Sequence, residues 1–114
     1  MLKIYGIKNC DTMKTALAWL NDKGIAHEFI DYKQAGLVDR LLPDWNARTG
    51  WQQLLNTRGM MWKRLSDEER ADVDEGKALK LMAEYPTLIK RPLADDGGDL
   101  EVGFAPERYE RYRR

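Results

Sequence analysis

The chain has 114 residues, 43% of them hydrophobic, enough for one compact domain with a core of its own. Nineteen basic residues balance nineteen acidic ones, so no global field draws the molecule to nucleic acid or an anionic membrane, and any preference for anions must be local. A single cysteine excludes an internal disulfide, no apolar run approaches the roughly 18 residues of a membrane span, and no export signal stands near Met1, so the expected location is cytoplasmic.

Leu2, Ile4 and Gly6 alternate with Lys3 and Tyr5 in the period of a short strand, and Gly6 and Asn9 then supply turn chemistry. From Asp11 the period changes. Met13, Ala16, Leu17, Trp19 and Leu20 recur on one side of a helix that closes at residues 21–24, Asn-Asp-Lys-Gly. Residues 25–32 read as a second strand with Ile25, Phe29 and Ile30 inward, giving a right-handed βαβ unit with parallel strands. His27, the only histidine, falls on the polar phase between Ala26 and Glu28 and reads as a solvated strand residue rather than a catalytic base.

Residues 33–36 break the pattern, and the next fifty are helical in character. Leu37, Leu41, Leu42 and Trp45 give an amphipathic segment ending at Thr49 and Gly50, with Pro43 marking a kink or a late start. Residues 51–56 add one or two turns, Ser66 with Glu69 matches a capping box, and Asp74 caps a further helix that Pro86 stops. Leu79, Met82 and Ala83 are its expected buried stripe, and Trp45, Trp51 and Trp62 are expected to be packing residues. Residues 87–90 and 99–104 read as the two strands of a hairpin turning at 94–98, and 106–112 as a terminal helix. Arg108, Arg111, Arg113 and Arg114 suit the end of that helix and a solvated tail better than a nucleic-acid patch.

The chemistry centres on Cys10, placed where the first strand hands over to the first helix. Free N–H groups and the positive end of the helix dipole favour an anion there, and hence the thiolate, which is the nucleophilic form. Lys8 and Lys14 add positive charge nearby while Asp11 opposes it, and the expected net direction is a lowered thiol pKa. Asn9 and the first N–H groups of the helix are candidate donors to the sulfur, with Thr12 assisting or capping the turn. Two arginines lie at element boundaries rather than on helical faces: Arg58, ahead of Gly59, whose flexibility lets the backbone turn, and Arg91, directly ahead of Pro92. A guanidinium is always charged and its planar donor fork can grip a carboxylate or an oxyanion and stabilise a thiolate.

The order β-α-β, helical block, β-β-α is that of an α/β protein with a thioredoxin-like fold: a mixed four-stranded sheet in a single domain over residues 1–114, with a helical insertion at about 37–85. Such proteins commonly carry a cis-proline beside the reactive sulfur. Pro92 is the first candidate for that bond and Pro86 the second.

Five stretches then occur in one order: Tyr-Gly-Ile-Lys-Asn-Cys-Asp-Thr at 5–12, Trp-Gln-Gln-Leu-Leu-Asn-Thr-Arg-Gly at 51–59, Trp-Lys-Arg-Leu at 62–65, Pro-Thr-Leu-Ile-Lys-Arg-Pro-Leu at 86–93 and Val-Gly-Phe at 102–104. Together they resemble the arsenate reductase (ArsC) family, and within it the YffB-like subgroup proposed to be glutathione-dependent thiol reductases; the Spx regulators share the fold. The resemblance implies Cys10 as the nucleophile, Arg58 and Arg91 as the anion-binding pair, and Asn9, Thr12 and Pro92 in support. It implies no bound cofactor or metal, with glutathione as co-substrate and a small thiol or oxyanion as substrate. Its alternative is a Spx-like partner of the RNA polymerase alpha subunit. Two departures narrow the choice. Glutaredoxin-coupled arsenate reductases carry a third arginine where this chain offers Val102 or Phe104, which speaks against arsenate as the substrate. Spx regulators of the Cys-x-x-Cys type have a second cysteine where this chain has Met13, so any second thiol must come from outside.

Overall fold

The structure, a computed structural model, describes residues 1–113, so that Arg114 lies outside the described residues. The chain divides into two compact units, one of Met1–Gln34 with Arg91–Arg114 and one of Ala35–Lys90.

The first unit is built on β1 (Leu2–Gly6), in which Leu2, Ile4 and Tyr5 are buried while Lys3 faces solvent. β1 is central in the sheet, which explains why both Ile4 and its neighbour Tyr5 are inside. It pairs in parallel with β2 (His27–Asp31), from Leu2 opposite His27 to Gly6 opposite Asp31. On its other side it pairs antiparallel with β3 (Leu93–Asp95), Tyr5 opposite Leu93, and β3 pairs antiparallel with β4 (Leu100–Val102). The order β2-β1-β3-β4 is the mixed four-stranded sheet that the element order implied. Between β1 and β2 runs α1 (Asp11–Asp22), which buries Met13, Ala16 and Leu20. Leu17, Trp19, Ile25 and Phe29 pack half-buried against the same core.

One contact ties the strand to the helix. A Cβ added at Gly6 would lie 2.3 Å from Met13 Sδ, and Met13 is wholly buried, so the strand needs glycine there for room. Gly6→Ala is therefore expected to lower stability by about 1–3 kcal/mol through overpacking, measured by urea unfolding. An unchanged midpoint would show that Met13 moves aside freely.

The hairpin lies further along the chain than the β-rich run at 87–90 suggested. Its first strand is β3, and residues 86–88 instead form a 3-10 turn with Pro86 at its first position, where the missing N–H is no loss. Ile89 forms an isolated bridge with Leu55 rather than part of a strand. Strand propensity was overridden by pairing, because β3 is the piece that reaches β1. The turn closes through Asp96, whose Oδ1 accepts the N–H groups of Gly98 and Asp99 at 2.9 and 2.7 Å.

The terminal helix is shorter than its pattern, Pro106–Tyr109 followed by a 3-10 turn over Glu110–Tyr112. Tyr109 is wholly buried and anchors it, packing edge-on to Phe104 at 4.8 Å and Tyr112 at 5.2 Å between ring centroids and donating its hydroxyl to Gly103 O at 2.8 Å. Arg108 and Arg111 both reach Glu101, at 2.6 and 3.3 Å, and Arg113 reaches Glu110 at 2.9 Å. These three guanidiniums are thus engaged with carboxylates of the chain itself.

The second unit is helical: α2 (Leu37–Thr49), α3 (Trp51–Leu54), α4 (Met60–Arg64), α5 (Asp67–Arg70) and α6 (Glu75–Glu84). Pro43 lies inside α2, so the helix starts at Leu37 and not at the proline. Ser66 and Glu69 form the expected capping box, with Ser66 N–H donating to Glu69 Oε1 at 2.8 Å and Glu69 N–H to Ser66 Oγ at 3.1 Å. Asp74 caps α6 by accepting from Lys77 N–H at 2.9 Å. The buried stripe of α6 is Ala78, Leu81 and Met82, whereas Leu79 and Ala83 are half-buried. Five apolar residues on one broad face left its phase open by one position. Trp45 is buried, with Trp51 and Trp62 half-buried. Among the described residues no helix is long and apolar enough to cross a membrane.

Candidate active site

The sheet brings three chain segments to one edge. β1 and β2 run parallel and end there, at Gly6 and Asp31, while antiparallel β3 begins there at Leu93. The residues just beyond those ends are therefore neighbours: the loop leading to Cys10, then Tyr32, then Arg91 and Pro92. This edge beyond the carboxyl ends of parallel strands is where open α/β sheets place their chemistry.

Cys10 is the N-cap of α1, with extended backbone (φ −134°, ψ 127°), and its carbonyl accepts Lys14 N–H at 2.9 Å. Its side chain is half-buried against the core. That burial pushes the thiol pKa up. It is outweighed by the backbone N–H of Met13, by Arg91 acting as donor and as charge, and by the backbone N–H of Thr12, so the thiol sits below its ordinary value. The direction matches the one expected from the helix start. The charge responsible is different, because Arg91 rather than Lys8 or Lys14 leads the electrostatic contribution. Thr12 acts through its main chain, since no side chain caps this helix, and Asn9 is exposed.

Arg91, just ahead of β3, acts on the Cys10 thiol as donor and as charge, and it also donates from Nη1 to the Tyr32 hydroxyl at 3.4 Å. Tyr32 is wholly buried, and its own N–H donates to Gly6 O at 3.0 Å, one step beyond the last β1–β2 pair. Burial pushes the Tyr32 hydroxyl pKa up, so it stays neutral at ordinary pH. Nothing in the sequence pattern singled out Tyr32. The available signal was its position, the first residue past a strand that ends beside the cysteine loop. The Arg91–Pro92 peptide bond is cis, and Pro92 O accepts Gly103 N–H at 2.8 Å, which joins the start of β3 to the segment after β4.

Arg58 belongs to the second unit. It is exposed, its N–H donates to Asn56 Oδ1 at 3.0 Å, and it lines a cleft of about 520 Å³ with Trp51, Gln52, Leu55, Asn56, Thr57 and Lys90. Lys90 is a second cation there that the sequence reading did not single out. Gly59 has φ −84°, ψ 172°, extended backbone that any residue adopts, so its role is not flexibility. A Cβ at Gly59 would lie 2.8 Å from Asn56 Nδ2, the end of a side chain, so a larger residue there would have to displace that amide. His27 is half-buried, with Nδ1 2.8 Å from Ile25 O, a local contact within its own strand. Among the described residues no group of three or more His, Cys, Asp or Glu side chains is placed to hold a metal ion.

These features have counterparts in known proteins. The model of the ArsC family matches residues 5–112. The solved structure of the YFFB (PA3664) protein superposes with a TM-score of 0.92 at 42% identity, covering 100% of both chains. An arsenate reductase (ArsC) related protein from Brucella melitensis is 45% identical with a TM-score of 0.80, over 97% of this chain and 92% of its own. An uncharacterized protein of Haemophilus influenzae is 41% identical over 96% of each chain. More distant relatives include an arsenate reductase of Neisseria meningitidis, 28% identical over 96% of this chain and 95% of its own, and a global transcriptional regulator Spx of Enterococcus faecalis, 27% identical over 98% and 86%.

Proposed function

Because the chain belongs to the ArsC family, we propose that it is a glutathione-dependent thiol reductase working through Cys10 alone. The observation that carries this reading is a cysteine at a helix N-cap whose thiol pKa is lowered by Arg91 and two helix N–H groups, in a sequence with no second cysteine. Such a thiolate is a ready nucleophile. It attacks the glutathione sulfur of a mixed disulfide, forming a Cys10–glutathione disulfide and expelling the substrate sulfur as a thiolate, which takes up a proton. The thiolate of a second glutathione then attacks the glutathione sulfur of that adduct, releasing oxidised glutathione and restoring the Cys10 thiolate. The net exchange turns the mixed disulfide and one reduced glutathione into the substrate thiol and oxidised glutathione, the incoming glutathione sulfur being oxidised as the substrate sulfur is reduced, and no bound cofactor takes part.

Arg91 serves both as the counter-ion of the thiolate and as a donor to the anionic co-substrate, with cis-Pro92 setting the main chain beside it. Arg58, beside Lys90 in its own cleft, is proposed as a carboxylate ligand. Arg58→Ala is expected to raise the KM for glutathione about three- to tenfold, the effect of losing one exposed charge-assisted bond, with kcat little changed. An unchanged KM would remove Arg58 as a ligand of glutathione.

Arsenate is the weaker substrate reading. Phe104, at the place considered for a third arginine, packs edge-on to Trp19 at 6.1 Å and to Tyr109, and offers an oxyanion no donor. The reading is tested by incubating the protein with oxidised glutathione and recording its intact mass. One glutathione adduct, mapped to Cys10 and removed by reduced glutathione, is the expected result. A protein that takes up none would overturn the proposal.

A further inference from the structure

Tyr32 is wholly buried at this edge with its hydroxyl against Arg91, and the mechanism above leaves it without a role. Three observations bear on it. Its ring is fixed, being fully buried and held at the main chain by the bond from its N–H to Gly6 O at 3.0 Å. Its hydroxyl oxygen accepts from Arg91 Nη1 at 3.4 Å. The same guanidinium, just ahead of β3, lies beside the cysteine loop at this edge of the sheet and acts on the Cys10 thiol as donor and as charge. An arginine side chain has many rotamers, and holding one of them costs entropy unless a second partner fixes the fork. A neutral hydroxyl is well suited to that. It accepts an N–H without competing for the positive charge, whereas a carboxylate would neutralise the guanidinium and weaken its hold on the thiolate. The nearby carboxylate, Asp31, is turned to its own loop, with Oδ1 accepting Lys33 N–H at 2.8 Å.

We propose that Tyr32 is a positioning residue for the nucleophile: its buried hydroxyl holds the Arg91 guanidinium against Cys10 Sγ, so that the cation stabilises the thiolate without itself being neutralised. This rests on Cys10 being the reactive thiolate, and its consequence is read at the thiol. The charged group that bears on Cys10 is Arg91, just ahead of β3, and the other charges near it in sequence are Lys8, Asp11 and Lys14. Tyr32→Phe alters none of them and keeps the ring that fills the core.

The test is the pH dependence of Cys10 alkylation by iodoacetamide, which requires no glutathione. In Tyr32→Phe the midpoint should move alkaline, less far than in Arg91→Ala, and below the wild-type midpoint the alkylation rate should fall about two- to threefold. In an Arg91→Ala background, Tyr32→Phe should produce no further shift, because the group it positions is gone. A purely structural role would shift both backgrounds alike or neither, and either result overturns the inference. An ordinary alkaline midpoint in the wild-type protein would instead overturn the reading of Cys10 itself. A measurement on the unaltered protein covers the case in which Tyr32→Phe fails to fold. The Arg91 Nη protons should give separate NMR signals at neutral pH, as a guanidinium held at both ends rotates slowly, and a single averaged signal overturns the proposal.

Discussion

Cys10→Ser is expected to lower the proposed glutathione-dependent reductase activity by roughly 10³-fold or more, equivalent to about 4 kcal/mol of lost transition-state stabilisation. Serine preserves the N-cap and the size of the side chain, so the fold should be kept; the hydroxyl is an accepted N-cap group where the thiol makes no capping bond. The loss is chemical. An oxygen nucleophile cannot form the mixed disulfide, and the sequence holds no other sulfhydryl to take over. Activity assayed with a glutathionylated peptide, alongside a thermal melt, checks both halves. A Cys10→Ser protein that turns over substrate at the wild-type rate would place the chemistry elsewhere, and one that unfolds would show that the thiol packs more tightly than its half-buried position indicates.

The features that the sequence made legible are those fixed by local chemistry. The change of period at Asp11 placed Cys10 at a helix start, and the Ser66–Glu69 and Asp74 caps were readable from side chains that satisfy their own helix ends. The cis bond at Pro92 was reached through the thioredoxin-like resemblance, with Pro86 as second candidate, and proline's cheap cis form only narrowed the choice to the prolines. What escaped was set by distant partners. Residues 87–90 have the composition of a strand, but pairing with β1 falls to Leu93–Asp95, and no local signal encodes that choice. Tyr32 carried no mark because its meaning comes from Arg91, 59 positions away in the chain. Lys8 and Lys14 were the obvious cations near Cys10 by sequence distance, yet the effective one arrives from the segment just ahead of β3, the strand paired with β1. Gly6 was assigned to turn chemistry when it is there for room against buried Met13, a constraint visible only once the packing is known.

Arg91→Ala should move the pH profile of kcat/KM to higher pH and lower the rate at neutral pH by about 10- to 100-fold. The sign follows from which form reacts. The thiolate is the nucleophile, so the rate falls as pH drops through the thiol pKa; Arg91 lowers that pKa as donor and as charge, and removing it shifts the fall alkaline. Loss of a charge-assisted bond to a thiolate is worth about 1.5–3 kcal/mol, which is the stated range in rate. Arg91→Lys separates the two parts of the effect. Lysine restores a positive charge near the sulfur and should recover part of the acid-side activity, but a single ammonium lacks the fork that meets Cys10 and Tyr32 together. KM for glutathione should therefore stay raised while the pH profile returns partway. Full recovery of both by lysine would reduce Arg91 to a point charge and leave Tyr32 with nothing to position, whereas no recovery of either would make the bidentate geometry, rather than the charge, the source of the lowered thiol pKa.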